Sequence, residues 1–428
     1  MEKKADKLRD FYLLWSTQAL SQLGSAITAF ALTLWIYEKS GSALHTALLT
    51  ICNYVPYVLM SIIAGAMTDR WDKKKTMLVC DLLAALGTIV GFVLIRRDLL
   101  QEWHLYVINA LNGLMNTVQQ PASEVAVTLV TPKEMYQKTS GLKSFSRSLI
   151  SIMHPVIATA LFGFGGMNVV IAFDLLTFAV AFLVLLLFIE IPSHTDKSEG
   201  EPLIETVRQG FRCLNENRAV LWLILFLAGV NLVASMFDAV LPAFIIPQPN
   251  GGEKVLAYVT ATAGVAMLVG SLIVSVMPAP KDRILVILAT MLFSLTTDNF
   301  LMALSDSPIL WCIAQVLGYV PVTIMSTNLD VTIRETIPTD MQGRVYACRN
   351  SLQFFTIPLG YYLGGWLTDM VFEPYMAGLG SGHVFLRLFG EGKGSGAGML
   401  IFLLGVAGMV ICTVFWKILD KYRNKAHA

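Results

Sequence analysis

Apolar segments of about 20 residues or more follow one another along almost the whole chain, separated by short polar breaks. They fall near 11–37, 44–68, 76–96, 103–131, 142–165, 168–190, 219–246, 254–277, 284–304, 308–337, 344–372 and 396–416, twelve in all. About 20 apolar residues is the length an α-helix needs to cross a hydrocarbon core of about 30 Å. In lipid the backbone has no water to bond, so only helices and closed barrels can span, and long unbroken runs select helices. The composition agrees, with 55% hydrophobic and 14% charged residues in 428 and a mean hydropathy of +0.63. A soluble domain this apolar would expose large adhesive patches. The opening MEKKADKLRD leads directly into a full span, too long for a signal-peptide core, so the first helix is expected to be retained.

The placement of charge sets the orientation. Between the second and third segments the stretch Gly65 to Lys75, GAMTDRWDKKK, packs a cationic cluster into a tight hairpin that must face water. With the N-terminus inside, the inner loops and tails carry 24 Lys and Arg against 6 outside, which predicts that both termini are cytoplasmic. The net charge of +1 provides no general field for nucleic acid. The longest inner polar stretch follows six segments and precedes six more, dividing the chain into 1–191, a cytoplasmic linker 192–218, and 219–428. Within the linker, the spacing of Leu203, Val207, Phe211 and Leu214 beside Arg208 and Arg212 fits a helix lying on the membrane surface; a plain solvated connector fits it equally. The six cysteines occur singly, without metal-ligand spacing, and read as packing residues.

The two halves look like repeats. TPKEMYQK around Pro132 parallels IPTDMQGR around Pro338, and a shift of 206 positions superposes Glu124 on Asp330, Lys138 on Arg344 and Lys143 on Arg349. Transporters built from repeated bundles place their substrate site near the bilayer midplane.

Gly65, Asp69, Arg70 and the basic run to Lys75 resemble the Gly-x-x-x-Asp-Arg-x-Gly-Arg-Arg loop between helices 2 and 3 of the major facilitator superfamily, with Asp72 where that family usually has glycine. Three stretches resemble its macrolide-efflux-like and enterobactin-export-like drug:proton antiporters. These are LWSTQALSQLGSAITAFALTLWIYEKSGSA, GLMNTVQQPASEVAVTLVTPKEM and FDLLTF. The resemblance spans the chain to PLGYYLGGWLTD and the glycine-rich outer loop after it. Two positions depart from the exporters. Asn109 stands four residues before Gly113 where many carry arginine, and His154–Pro155 replaces a Gly-Pro. The fold implied is an all-α membrane protein of twelve transmembrane helices in two pseudo-symmetric six-helix bundles, with helices 1, 4, 7 and 10 facing a central cavity.

Intramembrane charge is costly, so acids within spans are functional candidates. Glu124, Asp238 and Asp330 lie on helices that the implied architecture turns toward the cavity. All three are proton-coupling candidates; Glu124 and Asp330 also suit gating ion pairs, Asp330 having Arg334 at i+4, whereas Asp238 has no cation within a helical turn and suits a proton or cation-substrate site. His154 is a further titratable candidate. Asp81 and Asp174 fall on helices that the same architecture places at the periphery, which favours hydrogen bonding within the bundle over a part in transport. Gln18, Ser21, Gln22, Ser25 and Thr28 make a polar stripe on the first helix, and Asn112 with Asn116 does so on the fourth; Gln18, Gln22, Ser25, Asn112 and Asn116 are therefore substrate-cavity candidates. Asp69, Arg70 and Lys74 of the hairpin, with Gly65 in its motif, are expected to latch the halves by meeting Glu134 and the N-terminal end of helix 11 near Arg344.

No nucleotide-cradling, nucleophile-elbow or metal motif stands in the sequence, so no enzyme, cofactor or metal is expected. These readings converge on a secondary active transporter of the plasma membrane, monomeric, that moves a small amphipathic substrate against protons by alternating access. The alternatives are a lipid or lysolipid flippase or scramblase-like carrier, and an uptake carrier for a polar nutrient.

Overall fold

Every long apolar run of the sequence becomes helix, because in such a segment each interior N–H closes onto the carbonyl four residues back. The computed structural model describes residues 2–131, 135–191, 203–380 and 382–423. The side chains at 2–7, 61–70, 136–138, 140, 203–207, 339, 340, 342–344, 346, 347 and 350 lie outside that description. The helices are α1 (Glu2–Ser40), α2 (Ala43–Arg70), α3 (Lys73–Arg96), α4 (Glu102–Val130), α5 (Tyr136–Phe188), α6 (Leu203–Glu216), α7 (Arg218–Ile245) and α8 (Glu253–Val276). They continue with α9 (Arg283–Ala303), α10 (Pro308–Thr336), α11 (Thr339–Phe354), α12 (Thr356–Leu367), a π-helical turn (Thr368–Phe372), α13 (Glu373–Ala377), α14 (Val384–Phe389) and α15 (Ser395–Arg423).

Among the described residues nine helices are long and apolar enough to cross a membrane. Three local features account for the difference from twelve. α5 contains two of the expected spans, since the backbone leaves helical geometry at Gly165 and Gly166, the latter at φ +63°, where a Cβ would be strained. α4 is diluted by Asn109, Asn112, Asn116, Gln119, Gln120 and Glu124. The eleventh span is divided between α11 and α12 at Phe355. The architecture is all-α and consistent with twelve crossings.

The expected loop Gly65–Lys75 is mostly helix. α2 runs through to Arg70 and α3 restarts at Lys73, leaving Trp71 and Asp72 as the turn. Asp72 accepts a 2.8 Å hydrogen bond from the Lys75 backbone N–H, so the acid at the family's glycine position is the N-cap of α3. Farther along, the linker region forms the helix α6, which packs against α11 and α7; Leu214 is buried and Phe211 is exposed.

The chain groups into two compact units, residues 1–36 with 49–200 and residues 37–48 with 201–428. In the first, α3 packs on α4 and α5, and two apolar clusters form. One joins Phe11 and Leu14 of α1 to Met77, Ala126 and Leu185, and the other joins Ile27, Ala31 and Ile36 to Leu105, Ala158 and Val170. The stretch of α1 between them carries the polar stripe. Helix α4 meets α2 at Gly113, where a Cβ would lie 2.0 Å from the Asn53 carbonyl oxygen.

In the second unit α7 is the central helix, packed by α12 and α15 and buried on nearly every side from Val220 to Ile245. α10 lies against α8 and α9, anchored by the fully buried Trp311, whose indole N–H donates to the Ser305 carbonyl at 2.9 Å. Two carboxylates organise one end of the unit. Asp369 accepts from Ser42 Oγ at 2.6 Å and from the Ala43 and Leu44 N–H groups at 3.1 and 2.9 Å, satisfying the free donors that open α2. Glu373 accepts from the Gly394 and Ala397 N–H groups at 3.1 and 3.0 Å, doing the same for α15. Burial lifts the Glu373 carboxyl above its usual range, against the pull of those two donors.

The same ion pair appears once in each unit. Lys143 of α5 pairs with Glu124 of α4, and Arg349 of α11 pairs with Asp330 of α10 at 2.7 Å. These are the positions that the 206-residue shift superposes. Asp330 thus reaches a cation on the following helix, a partner that i,i+4 spacing on its own helix does not reveal.

Two stability outcomes follow. Gly113→Ala sets a methyl against backbone that cannot rotate away, so thermal unfolding of the purified protein should show a loss of at least about 1–3 kcal/mol; unchanged stability would mean that α2 and α4 separate freely. Asp369→Ala strips three hydrogen bonds from the start of α2 and should cost about 1–2 kcal/mol, read in the same way.

Candidate functional site

The first unit encloses a cavity of about 900 Å³. Its wall begins with α1, where residues three and four apart share a face, so Gln18, Gln22 and Ser25 all line it. Asn112 and Asn116 of α4 line it too, joined by Asn53 of α2 and Gln119 of α4. Apolar and aromatic groups, among them Trp15, Phe30, Tyr54 and Phe178, complete the surface. A mostly apolar wall with convergent amides and hydroxyls suits a drug-sized amphipathic solute.

Two further acids sit in this wall. Asp81 of α3 accepts from Gln119 Nε2 at 2.5 Å, and Asp174 of α5 accepts from Ser25 Oγ at 3.4 Å, hydrogen bonds within one unit as expected of both. What the sequence did not show is that they also line the cavity. Each projects inward from its helix, and the close approach of Asp174 depends on Gly24, where a Cβ would lie 2.2 Å from Thr177 Oγ1 and 3.0 Å from Asp174 Oδ1. The pattern Ser21-x-x-Gly24-Ser25 carried that signal in the sequence, since a small residue beside a hydroxyl marks where a neighbouring polar group can close in. Asp81 offered no comparable sign. Its partners come from other helices, and only packing shows which way α3 is turned.

Two wall groups are buried without a hydrogen-bond partner in the protein, Trp15 Nε1 and Asn112 Oδ1, while Gln18 and Thr28 are turned toward Asp81 and Asp174. A buried polar atom left unmet costs about 1–3 kcal/mol, so the Trp15 and Asn112 atoms are poised to bond whatever enters. His154 is not among them. Its Nδ1 lies 2.9 Å from the Ile150 carbonyl, and its ring stands edge-on to Phe30 with centroids 5.8 Å apart. Asn109, at the position where exporters carry arginine, donates to Leu105 O on its own helix at 2.9 Å.

The cavity's charged rim is Glu124, held by Lys143 and approached by Arg147 at 3.6 Å. In the second unit Asp330 is held by Arg349, and Asp238 lies within reach of the Tyr319 hydroxyl. Asp238 keeps part of its surface exposed. Among the described residues no group of three or more His, Cys, Asp or Glu is placed to hold a metal ion.

Of the latch candidates, Lys74 has its ammonium on the Leu186 and Ile189 carbonyl oxygens at 3.0 and 2.8 Å, at the C-terminal end of α5. There it meets the negative end of the helix dipole within its own unit. Gly65, Asp69 and Arg70 lie in the last turns of α2 and Arg344 in α11; their side chains, and Glu134 altogether, fall outside the described residues.

The geometry has close parallels. The chain is 26% identical over 377 residues to macrolide efflux protein A of Streptococcus pyogenes, covering 87% of this chain and 92% of that one. It is 25% identical over 365 residues to the multidrug efflux pump Tap of Mycolicibacterium fortuitum, covering 81% and 86%. The crystal structure of the nucleoside transporter NupG superposes with a TM-score of 0.69 at 12% identity, over 95% of this chain and 98% of that one. A bacterial homologue of the human lysosomal transporter Spinster, in an inward-facing and occupied conformation, superposes at 0.71 with 14% identity, over 96% of each chain. The model of the Major Facilitator Superfamily matches residues 14–360. With its helical architecture, paired repeats and membrane-length spans, the chain is a multi-pass membrane transporter that belongs to the Major Facilitator Superfamily.

Proposed function

We propose that this protein is a proton-coupled secondary exporter of amphipathic small molecules, macrolide-like or drug-like, working in the plasma membrane by alternating access of its two bundles. The observation that carries the reading is the cavity of about 900 Å³, with its aromatic surface, the unpartnered Trp15 and Asn112 atoms, and the acids Asp81 and Asp174 in its wall. A sugar acid or phosphate would want fixed cations in that wall; there the cations, Lys143 and Arg147, stand beside Glu124 at the rim. The resemblance to macrolide and multidrug efflux proteins supports the export direction. In this reading Asp238 carries the coupled proton, while Glu124 and Asp330, each in an ion pair that recurs between units, gate the passage.

Two measurements test it. Expression in a drug-sensitive host should lower accumulation of a macrolide or a cationic amphipathic dye. Gln18→Ala and Asn112→Ala should each weaken that export about 2- to 10-fold, the worth of one hydrogen bond to the solute. Solute-specific uptake with no change in accumulated drug would instead favour a nutrient carrier, and movement of labelled lipid by purified protein without a gradient would favour a lipid carrier. For coupling, Asp238→Asn in proteoliposomes should abolish efflux driven by an imposed pH step while leaving counterflow intact. Undiminished pH-driven flux would reject Asp238 as the coupling acid.

A further inference from the structure

The linker helix α6 has two unlike faces. Gly210, Cys213 and Leu214 are buried, on the side that packs against α11 and α7. Arg208, Phe211, Arg212 and Asn215 recur at three- and four-residue intervals and are all exposed, so they form one stripe on the opposite side. The joint to α7 is short and bonded. Asn217 donates from its side-chain amide to the Cys213 carbonyl at 2.9 Å, and its own carbonyl accepts from the Val220 and Leu221 N–H groups at 3.0 and 3.2 Å. α7 is a membrane-length helix from Arg218 onward, so α6 is held where a span leaves the lipid.

Along the stripe lies an open recess of about 760 Å³, lined by Arg208, Gln209, Phe211, Arg212 and Asn215 of α6 and by Leu221 of α7. Among the described residues that line it are two cations, two amides and no acid. Two guanidinium groups four residues apart on one helix repel each other, a cost that an anion between them removes. Arg212 has Glu216 at 3.3 Å in an exposed pair, the weak kind that a better anion displaces. Phe211 is 43% exposed between the two arginines. A membrane interface, apolar on one side and charged on the other, suits both residue types at once. Phe211 and Leu221 give the recess an apolar side, which a lipid uses and a dissolved anion does not.

We propose that this recess binds the headgroup of an anionic phospholipid. Its phosphate sits between Arg208 and Arg212 with the Gln209 and Asn215 amides beside it, and its first acyl carbons lie over Phe211 and Leu221. The leaflet is the cytoplasmic one, the side to which the charge asymmetry of the loops assigns the linker. An anionic surface draws basic interfacial helices of this kind. A lipid seated there ties α6 to the base of α7, the central helix of the second unit. The site is separate from the solute cavity and does not depend on the export reading, since it can be filled in a protein that transports nothing.

The test is native mass spectrometry of the purified full-length protein in neutral detergent, titrated with phosphatidylglycerol or phosphatidylcholine. The wild type should retain one phosphatidylglycerol more tightly than it retains phosphatidylcholine. Arg208→Gln combined with Arg212→Gln should weaken that retention at least about 10-fold, since each arginine near an anionic surface is worth about fivefold. Equal retention of the two lipids, or equal retention by wild type and double variant, would overturn the site. Arg212→Gln alone alters one exposed side chain and serves if the double variant does not fold. It should weaken binding about fivefold, and no change would likewise overturn the site. Glu216→Gln releases Arg212 from its ion pair and should tighten binding about twofold; a loss of binding there would overturn the role of Arg212. Glycerol 3-phosphate, a headgroup without chains, decides the source of the phosphate. Binding as tight as the lipid's, and lost in the double variant, would make this a site for a dissolved anion and overturn the lipid assignment.

Discussion

The hydrocarbon core offers the backbone no hydrogen-bond partner, and most of this molecule follows from that. Helices answer the requirement internally, which frees side chains to decide everything else. Turns are correspondingly short at the ends where chains must reverse. Trp71 and Asp72 alone separate α2 from α3, and the Asp72 carboxylate accepts from the Lys75 N–H, one of the free donors of the next helix. Asp369 and Glu373 do the same at the starts of α2 and α15. Acids recur at helix N-termini because a carboxylate there meets both free donors and the positive end of the dipole.

Polar groups inside such a protein are affordable only where they meet one another or line a cavity. The first unit places an apolar cluster at each of two positions along α1, with the amide and hydroxyl stripe on the stretch between. The second unit follows another plan. There Asp298 lies buried against Gly318 of the neighbouring helix, and Gln315 is buried on that same helix. The two units are therefore repeats in their ion pairs, Glu124 with Lys143 and Asp330 with Arg349, but not in their interiors. An ion pair between successive helices constrains geometry, and geometry is what a repeat must preserve. Cavity chemistry is free to diverge.

Much was legible in the sequence because hydropathy and helical periodicity are local properties. The twelve apolar runs, the stripe Gln18, Gln22 and Ser25, and the correspondence of Glu124 with Asp330 can be read from spacing alone, since a helix fixes which residues share a face. The charge asymmetry of the loops is likewise local. What spacing could not provide was the rotation of each helix about its axis. Asp81 and Asp174 face the cavity because α3 and α5 are turned that way by packing, with Gly24 making room for one of them. Asp330 meets Arg349 rather than only its own helical neighbours because α11 returns beside α10.

The sequence by itself determined that the chain is a bundle of membrane helices with a repeated inner motif, since the length of an apolar run and the cost of an unmet peptide group leave no other fold. Only the tertiary structure decided which groups meet. Asp298 and Gly318 are 20 positions apart on different helices. Their contact depends on the glycine, whose missing side chain is the space that Asp298 occupies.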